Sequence, residues 1–342
     1  MRIHGGATYK TTNMLDFSAN INPLGIPDDV RKAVICSVSD CVRYPDPHCS
    51  ELVDALAVYE QFPAAQIVCG NGAADLIDRI ARAFRPRRAL IPVPTFSEYA
   101  YALHAVGCEV RDYPLDPAYS FQLDSGFISA LSDDVDIVFL CMPNNPTGQL
   151  IEPELLKKIA DKCCKYGVLL VCDECFLRFF RDALRYSLKQ HFHKNCIILN
   201  AFTKLYGMPG LRLGYALCGD EQKADCLRKT GQYWSVSVPA QAAGIAALQL
   251  TDWVRKTVEY IAEERALLTD SLRDSGIVVY EGSANFLLIQ APSDFAVQMK
   301  RIGIIVRTCT DFHGLNDTFF RIAVRTHAEN LALISAVRKV YQ

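Results

Sequence analysis

Short, nearly continuous apolar segments alternate with helical patterns along the first two thirds of the chain, and this alternation constrains the fold most strongly. Predicted strands lie at residues 66–69, 89–93, 136–141, 168–172, 196–200 and 213–218. Predicted helices lie at residues 73–84, 97–106 and 154–166. Strands that are apolar on both faces are typical of a parallel sheet covered by helices. We therefore expect an α/β fold with a mostly parallel sheet.

The pattern changes after about residue 235. Predicted helices at 239–250 and 254–274 are followed by short strands at 277–280, 286–290, 304–307 and 319–324, with helices at 294–302 and 328–340. This order is typical of a smaller α+β domain, and 342 residues are enough for both. We predict an amino-terminal arm with a small-domain segment over residues 1–40, a large domain over 41–235 and a small domain over 236–342.

Charge and cysteine content exclude several classes of function. A formal net charge of −2 gives no reason to expect a nucleic-acid or membrane partner. No apolar run is long enough to span a bilayer, and Met1-Arg2-Ile3-His4-Gly5-Gly6 has no signal-peptide character. Many cysteines, such as Cys69, lie in apolar segments, as buried reduced thiols do. Cys172 and Cys175 form a lone CxxC, so we expect no metal site there. The lack of signal-peptide character and of a membrane-spanning run leads us to expect a cytoplasmic protein.

A lysine follows one predicted strand closely. Ala201-Phe202-Thr203-Lys204 leads into a loop rich in Gly and Pro, and Arg212 lies eight residues beyond the lysine. A lysine that forms a Schiff base needs a rigid position beside an anionic cofactor. Thr203 and Arg212 can offer a phosphate a hydroxyl and a guanidinium. Taken alone, this motif also fits a surface lysine on a loop.

Three other turns follow strand ends. Gly70-Asn71-Gly72-Ala73 leads into a helix whose free N–H groups can hold a phosphate, although an ordinary βα turn has the same sequence character. In the structurally ordinary turn Pro143-Asn144-Asn145-Pro146-Thr147-Gly148, Asn145 can hydrogen-bond the phenolic oxygen of a pyridine ring. Asp173 ends a buried strand and needs a cationic partner, which a pyridinium nitrogen provides. Ligand-binding groups commonly meet at the carboxyl ends of such strands.

Together these motifs resemble those of the class I and II aminotransferases, which are pyridoxal-5'-phosphate (PLP) enzymes of fold type I, over essentially the whole chain. The resemblance implies that Lys204 binds PLP as a Schiff base and acts as general acid and base. It implies further cofactor contacts from Asp173 at the pyridinium nitrogen, Asn145 at the ring oxygen, Phe96 on the ring face, and Gly72, Ala73, Thr203 and Arg212 at the phosphate.

The resemblance also implies a homodimer with shared active sites, because Tyr44 resembles a tyrosine that reaches the cofactor phosphate of the neighbouring subunit. Arg321 resembles the arginine that binds the substrate α-carboxylate through two hydrogen bonds. Two positions depart from the usual pattern. Ala201 replaces Ser or Thr and loses one phosphate hydrogen bond, worth about 1 kcal/mol. Phe176 replaces Tyr, so Asn145 has less help at the ring oxygen.

Further segments resemble the threonine-phosphate decarboxylase branch of the family, which is related to the histidinol-phosphate aminotransferases. These segments are His4-Gly5-Gly6, residues 16–25, Trp234-Ser235-Val236, residues 304–309 and residues 320–326. Residues 16–25 and Phe176 favour the decarboxylases. The implied reaction converts L-threonine O-3-phosphate to (R)-1-amino-2-propanol O-2-phosphate in cobalamin biosynthesis.

A substrate that carries a carboxylate and a phosphate needs at least two cationic anchors. Arg307 and Arg321 lie on strands that we expect to be neighbours. By resemblance, Arg307 and His4 contact the substrate phosphate, and Asn20 lines the site. The residues alone leave other interpretations open, since Arg307 also fits an ordinary strand-end arginine and His4 a flexible terminus.

Three alternative functions remain open at this point. A histidinol-phosphate-type aminotransferase would share the cofactor site, and a serine-phosphate decarboxylase would act on a substrate with one methyl group fewer. Whether the carboxylate or the hydrogen on Cα stands perpendicular to the ring selects the reaction, and some tens of degrees decide it. A partner-binding protein without catalysis is disfavoured by the complete catalytic set.

Overall fold

The structure, a computed structural model, describes residues 5–6 and 14–341. Its strands are β1 (Leu15–Asp16), β2 (Ile67–Gly70), β3 (Arg88–Val93), β4 (Glu109–Pro114), β5 (Ile137–Cys141), β6 (Leu169–Asp173), β7 (Cys196–Ala201), β8 (Gly214–Cys218), β9 (Val278–Tyr280), β10 (Phe286–Gln290), β11 (Ile304–Ile305), β12 (Arg307–Thr308) and β13 (Phe319–Ala323). Its α-helices are α1 (Asp28–Ser37), α2 (Ser50–Glu60), α3 (Ala73–Phe84), α4 (Glu98–Ala105), α5 (Gly126–Ala130), α6 (Pro153–Tyr166), α7 (Ala183–Tyr186), α8 (Phe202–Leu205), α9 (Glu221–Thr230), α10 (Val238–Leu248), α11 (Thr251–Asp274), α12 (Phe295–Arg301) and α13 (His327–Tyr341).

The large sheet has the strand order β2-β8-β7-β6-β5-β3-β4. β8 runs antiparallel to both of its neighbours, whereas the ladders from β7 through β6, β5 and β3 to β4 are parallel. β5, β6 and β8 are buried at every position, which explains their nearly continuous apolar sequences. The prediction of an α/β fold with a mostly parallel sheet is confirmed.

Side chains from both faces of the large sheet enter separate apolar cores. Along β5, Ile137 and Phe139 join one core while Val138 and Leu140 join the other, because successive side chains of a strand point to opposite faces. Helix α3 contributes Leu76 to the first of these cores. Each large apolar side chain buried in this way stabilises the fold by about 1.5–3 kcal/mol. The sheet is therefore a rigid platform for residues at its strand ends.

Strand β4 was not predicted from the sequence. It pairs only with β3 at the edge of the large sheet, and most of its side chains are half-buried or exposed. An edge strand that packs one face loosely carries little apolar signal. The predicted strand at 304–307 is also two strands, since β11 pairs with β1 and β12 pairs with β13.

The small sheet has the order β12-β13-β10-β9 and is antiparallel in each ladder. Strand β1 pairs in parallel with β11, so the residues just before α1 lie beside carboxy-terminal strands. The backbone N–H of Ala323 donates to the carbonyl of Phe17 at 2.9 Å and extends this contact. The predicted boundaries near residues 40 and 235 stay predictions. Among the helices of the described residues, none has the length and apolar character of a membrane span.

Candidate functional site

A cavity of about 410 Å³ lies at the carboxyl ends of β5, β6 and β7. The last residue of each strand, Cys141, Asp173 and Ala201, lines it. Most of the residues singled out from the sequence meet here: Asn20, Ala73, Phe96, Asn145, Asp173, Thr203, Lys204, Arg212, Arg307 and Arg321. Phe176 and Ala201, where the sequence departs from the family pattern, also line the cavity.

The remaining predicted site residues lie elsewhere. Gly72 precedes helix α3 with φ of +81°, and a Cβ there would stand 2.6 Å from Nη2 of Arg212, so only glycine fits behind that guanidinium. Tyr44 is 77% exposed and stacks on Trp234 with ring centroids 4.4 Å apart, away from the cavity that the described residues of its own chain form. His4 lies outside the described residues.

Lys204 is held by the amino-terminal segment as well as by β7. It lies in the single turn α8, directly after β7, and its carbonyl accepts a 3.0 Å hydrogen bond from the backbone N–H of Asn22. The Asn22 side chain donates to the carbonyl of Leu205 at 2.6 Å. At Gly207, φ is +61° and a Cβ would stand 2.4 Å from the carbonyl oxygen of Gly25. The lysine backbone is therefore fixed on both sides.

Burial, and then the positive charges of Arg321 and Arg212, lower the pKa of Lys204 to about 8. Cys175 and Asp173 act in the opposite direction. Desolvation disfavours the charged amine, and the two guanidinium groups disfavour it further. With a pKa of about 8, roughly a tenth of the Lys204 side chains are neutral amines at pH 7, which makes Lys204 a suitable nucleophile and proton acceptor.

Asp173 is a buried carboxylate with two fixed donors. The Tyr99 hydroxyl donates to its Oδ2 at 2.7 Å, and the backbone N–H of Cys175 donates to its Oδ1 at 3.0 Å. Burial and the charge of Asp173 raise the pKa of Tyr99 well above its usual value, so the hydroxyl remains a donor. Tyr99 stacks on Phe139 and meets Phe96 edge to face, at centroid distances of 4.9 and 5.6 Å. The arrangement presents an oriented anion that can bind a ring cation.

Tyr99 was not predicted from the sequence as a site residue. The only signal is that a tyrosine in the buried face of the predicted helix at 97–106 needs a partner for its hydroxyl. Ser18 and Cys175, which line the cavity, were not predicted either. Cys175 belongs to the CxxC pair, and the described residues contain no group of three or more His, Cys, Asp or Glu side chains placed to hold a metal.

The start of α3 offers groups that suit an anion. In the part of the chain that the structure describes, no side chain caps this helix, and Ala73 and Ala74 of its first turn line the cavity together with Thr203 and Arg212. Arg212 donates to the carbonyl of Pro209 at 3.2 Å, and its Nη2 lies 3.5 Å from the carbonyl of Asn71. Free N–H groups, the helix dipole and a guanidinium together suit a phosphate.

Arg307 and Arg321 face each other as register partners on β12 and β13. The prediction that they lie on neighbouring strands is confirmed. They are 4% and 7% exposed. Two like charges held side by side out of water need anions to compensate them, and Asp311 compensates Arg307 with a contact of 2.7 Å. This wall of the cavity suits a further anionic group.

Arg321 is partly satisfied by the protein. Its Nη1 donates to Oδ1 of Asn145 at 2.5 Å and its Nη2 to the carbonyl of Ser18 at 3.0 Å, while its buried Nε has no hydrogen-bond partner among the described residues. Burial lowers the pKa of Arg321 to about 10, so it stays charged at neutral pH. Within residues 5–6 and 14–341, the Oδ1 of buried Asn20 also has no partner. Unsatisfied buried polar groups at a cavity wall are typical of a ligand site.

Arg307 is held by its own strand and the segment that follows. Its Nη2 donates to both carboxylate oxygens of Asp311, at 2.8 and 2.7 Å, and its Nη1 to the carbonyl of Thr308 at 2.5 Å. The Phe312 ring lies 5.3 Å from the guanidinium carbon. With 4% of its surface exposed, Arg307 is buried although it begins the two-residue strand β12.

The chain is similar to known proteins over nearly its whole length, including the residues of the cavity and of both sheets. The family model for aminotransferase class I and II matches residues 12–337. Threonine-phosphate decarboxylase from Salmonella typhimurium is 40% identical over 334 residues, which are 96% of this chain and 91% of that protein. The crystal structure of the histidinol-phosphate aminotransferase from Clostridium acetobutylicum is similar with a TM-score of 0.90 and 28% identity, covering 96% of this chain and 99% of that one. The histidinol-phosphate aminotransferase from Sinorhizobium meliloti, in complex with pyridoxal-5'-phosphate, has a TM-score of 0.84 and 25% identity, covering 94% and 89%.

Proposed function

We propose, since the chain belongs to the class I and II aminotransferase family and is a PLP-dependent enzyme, that it decarboxylates L-threonine O-3-phosphate. The product would be (R)-1-amino-2-propanol O-2-phosphate, an intermediate for cobalamin biosynthesis. The pairing of buried Arg307 and Arg321 across β12 and β13 carries the proposal, because it provides separate anchors for a phosphate and a carboxylate. The named activity of the Salmonella relative supports it.

The residues of the cavity fit PLP. We assign Lys204 to the cofactor aldehyde, Asp173 to its ring nitrogen, Asn145 to its ring oxygen and Phe96 to the ring face. Gly72, Ala73, Thr203 and Arg212 would hold the phosphate. The buried, doubly hydrogen-bonded carboxylate of Asp173 and the uncapped start of α3 support this assignment. When bound, PLP supplies an electron sink for the electrons of the broken bond.

Arg321 and Arg307 would orient the substrate. We assign the substrate carboxylate to Arg321, whose Nε has no protein partner. We assign the substrate phosphate to Arg307, with His4 and Asn20 as further contacts. Binding at both ends limits rotation about the Cα–N bond of the substrate. The angle at which Cα is held then decides whether the carboxylate or the proton leaves.

Lys204 would move the proton. After carbon dioxide leaves, Cα must be protonated, and we assign this step to the Lys204 ammonium or to a nearby donor. A pKa of about 8 lets the same side chain be a donor or an acceptor near neutral pH.

A histidinol-phosphate-type aminotransferase is the second candidate. The similarity to the Clostridium enzyme over nearly the whole chain supports it. Such an enzyme would use the same lysine to remove the proton from Cα, and it would need a keto acid to complete its cycle. Decarboxylation of serine phosphate is a variant of the first candidate, because one methyl group changes binding by only about 1–3 kcal/mol.

We also propose a homodimer with shared active sites. Tyr44 is exposed, and exposed Val42 and Trp234 lie close to it in sequence or in space. Exposed apolar and aromatic side chains near one another suit a protein interface. Tyr44 would reach the cofactor phosphate of the partner subunit. The free state of the fourteen cysteines supports a reducing, cytoplasmic location.

The test is a turnover assay with L-threonine O-3-phosphate and no keto acid. The purified holoenzyme should release carbon dioxide over many turnovers and form the phosphorylated amino alcohol. If the visible absorbance of the cofactor bleaches after one turnover and returns only when a keto acid is added, the aminotransferase candidate replaces the decarboxylase. Parallel assays with serine phosphate and histidinol phosphate measure selectivity.

A further inference from the structure

We propose that Asp311 is a positioning residue that holds Arg307 in the orientation that binds phosphate. The proposal rests on the proposed function, because it takes Arg307 as the phosphate-binding group. It adds a residue from outside the predicted site and assigns a role to the segment between β12 and β13.

Asp311 and Arg307 are in direct contact. Both carboxylate oxygens of Asp311 accept from Nη2 of Arg307, at 2.8 and 2.7 Å, while the carbonyl of Thr308 accepts from Nη1. Phe312 covers the guanidinium at 5.3 Å. All of these contacts come from residues 308–312, which directly follow Arg307 in the chain. A long side chain that is held before the ligand arrives loses less rotamer freedom on binding.

Asp311 contacts Arg307 from the side away from the main cavity. Arg307 and Phe312 line the main cavity, but Asp311 is absent from its lining among the described residues. Asp311 instead lines a neighbouring cavity of about 300 Å³, together with His313. The carboxylate thus contacts the guanidinium from behind and leaves the main cavity to the ligand. This placement distinguishes positioning from competition with phosphate.

The segment that carries Asp311 is anchored to the large sheet. Nδ1 of His313 contacts Oδ2 of Asp112 in β4. Phe96 and Ser97, which follow β3, line both cavities, so the segment and these residues form the partition between them. Arg307 is therefore oriented by a segment that spans the small and large sheets. Its geometry depends on how the two sheets are docked.

The Asp311→Asn substitution tests the role with little change of shape. It removes the negative charge and leaves Nη2 with a weaker acceptor. We expect KM for L-threonine O-3-phosphate to rise about 10-fold, as for one lost hydrogen bond to a charged group. The kcat value should stay within about twofold, because Asp311 does not contact the reacting atoms. Asp311→Glu, which restores the charge, should recover part of the loss.

A binding measurement provides a readout that does not depend on turnover. Calorimetric titration of the holoenzymes with inorganic phosphate should give a Kd about 10-fold weaker for Asp311→Asn than for the wild type. Asp317→Asn is the matched control, since Asp317 is an exposed residue of the same segment and its substitution changes the net charge equally. It should leave both KM and the phosphate Kd unchanged.

The outcomes separate the possibilities. A lower KM or tighter phosphate binding in Asp311→Asn would show competition and overturn the proposal, and so would unchanged values or a loss confined to kcat. If Asp311→Asn does not fold, Asp311→Glu carries the same test with a smaller expected rise in KM. A wild type that binds phosphate in an Asp311-dependent way, but does not turn over threonine phosphate, removes the proposed substrate and leaves the positioning role standing.

Discussion

The two ends of the cavity are built from different parts of the chain. At the large-sheet end, Asp173 ends β6 and Lys204 follows β7 by three residues, so each group is placed by its own strand. At the small-sheet end, Arg321 donates to the carbonyl of Ser18, 303 residues away, and to Asn145 across the cavity. The first end depends on local backbone geometry, whereas the second forms only when the small sheet and amino-terminal segment pack against the large sheet.

The two ends also differ in charge. The large-sheet end combines a fixed carboxylate with an anion-binding helix start, which suits a zwitterionic ring that carries a phosphate. The small-sheet end presents two buried guanidinium groups and suits a dianionic or more highly charged substrate. Lys204 belongs to the large-sheet end, but charges from both ends shift its pKa. Substitutions at either end should therefore have distinguishable effects.

The largest effect is expected from Lys204→Ala, which removes the reactive group of the large-sheet end. Turnover should fall by about 10⁴-fold, and the visible absorbance of the lysine-bound cofactor should disappear. Stopped assays with the variant and absorbance spectra measure both. Lys229→Ala, at an exposed position of α9, is the control and should keep full activity. Residual turnover near the wild-type rate would refute the assignment of Lys204.

The next largest effect is expected from Arg321→Lys, which keeps the charge of the small-sheet end but loses the planar guanidinium that reaches Asn145 and Ser18. We expect kcat/KM for threonine phosphate to fall about 100-fold. Arg307→Lys should instead reduce the preference for threonine phosphate over threonine. Measuring kcat/KM on both substrates compares the two arginines. Equal changes of this preference in both variants would contradict their separate roles.

The third largest effect is expected from pH: below pH 7, the rate constant of PLP uptake should change about tenfold per pH unit. Burial and the neighbouring arginines lower the pKa of Lys204 to about 8, and only its neutral amine attacks the cofactor aldehyde. The rate constant of PLP uptake by the cofactor-free protein should rise about tenfold from pH 6 to pH 7 and level off above pH 8. Stopped-flow absorbance across this range measures it. A rise that continues to pH 10 would mean that the lysine is not desolvated.

The smallest effect is expected from Tyr99→Phe, which removes one hydrogen bond within the large-sheet end. The Kd of PLP should rise about fivefold to tenfold, because the Asp173 carboxylate loses a fixed donor. Fluorescence titration of the cofactor-free protein measures this Kd. Tyr119→Phe deletes an exposed hydroxyl and should leave the Kd unchanged. A similar change in both variants would show that the Tyr99 hydroxyl has no specific role.

Prediction from sequence was most successful for the large sheet. Each predicted strand of that sheet is present, because buried parallel strands need apolar side chains on both faces and therefore carry a strong signal. The edge strand β4 and the helices α1 and α2 were not predicted. β4 is only partly buried, so its sequence lacks that signal. Residues 304–307 were predicted as one strand, but residues 304–305 pair with β1 whereas Arg307 pairs with β13. A continuous extended segment carries no local signal for a change of pairing partner.

The sequence by itself determined which groups make up the proposed cofactor end of this protein: a lysine, an aspartate, an asparagine and a glycine turn, each next to a strand end. Local backbone geometry is sufficient to place such groups at one edge of a sheet. Only the tertiary structure decided that Arg307 pairs with Arg321 in register, that Tyr99 holds Asp173, and that Asp311 lies behind Arg307. Those contacts depend on strand register, rotamers and the docking of two sheets, which no short sequence motif encodes.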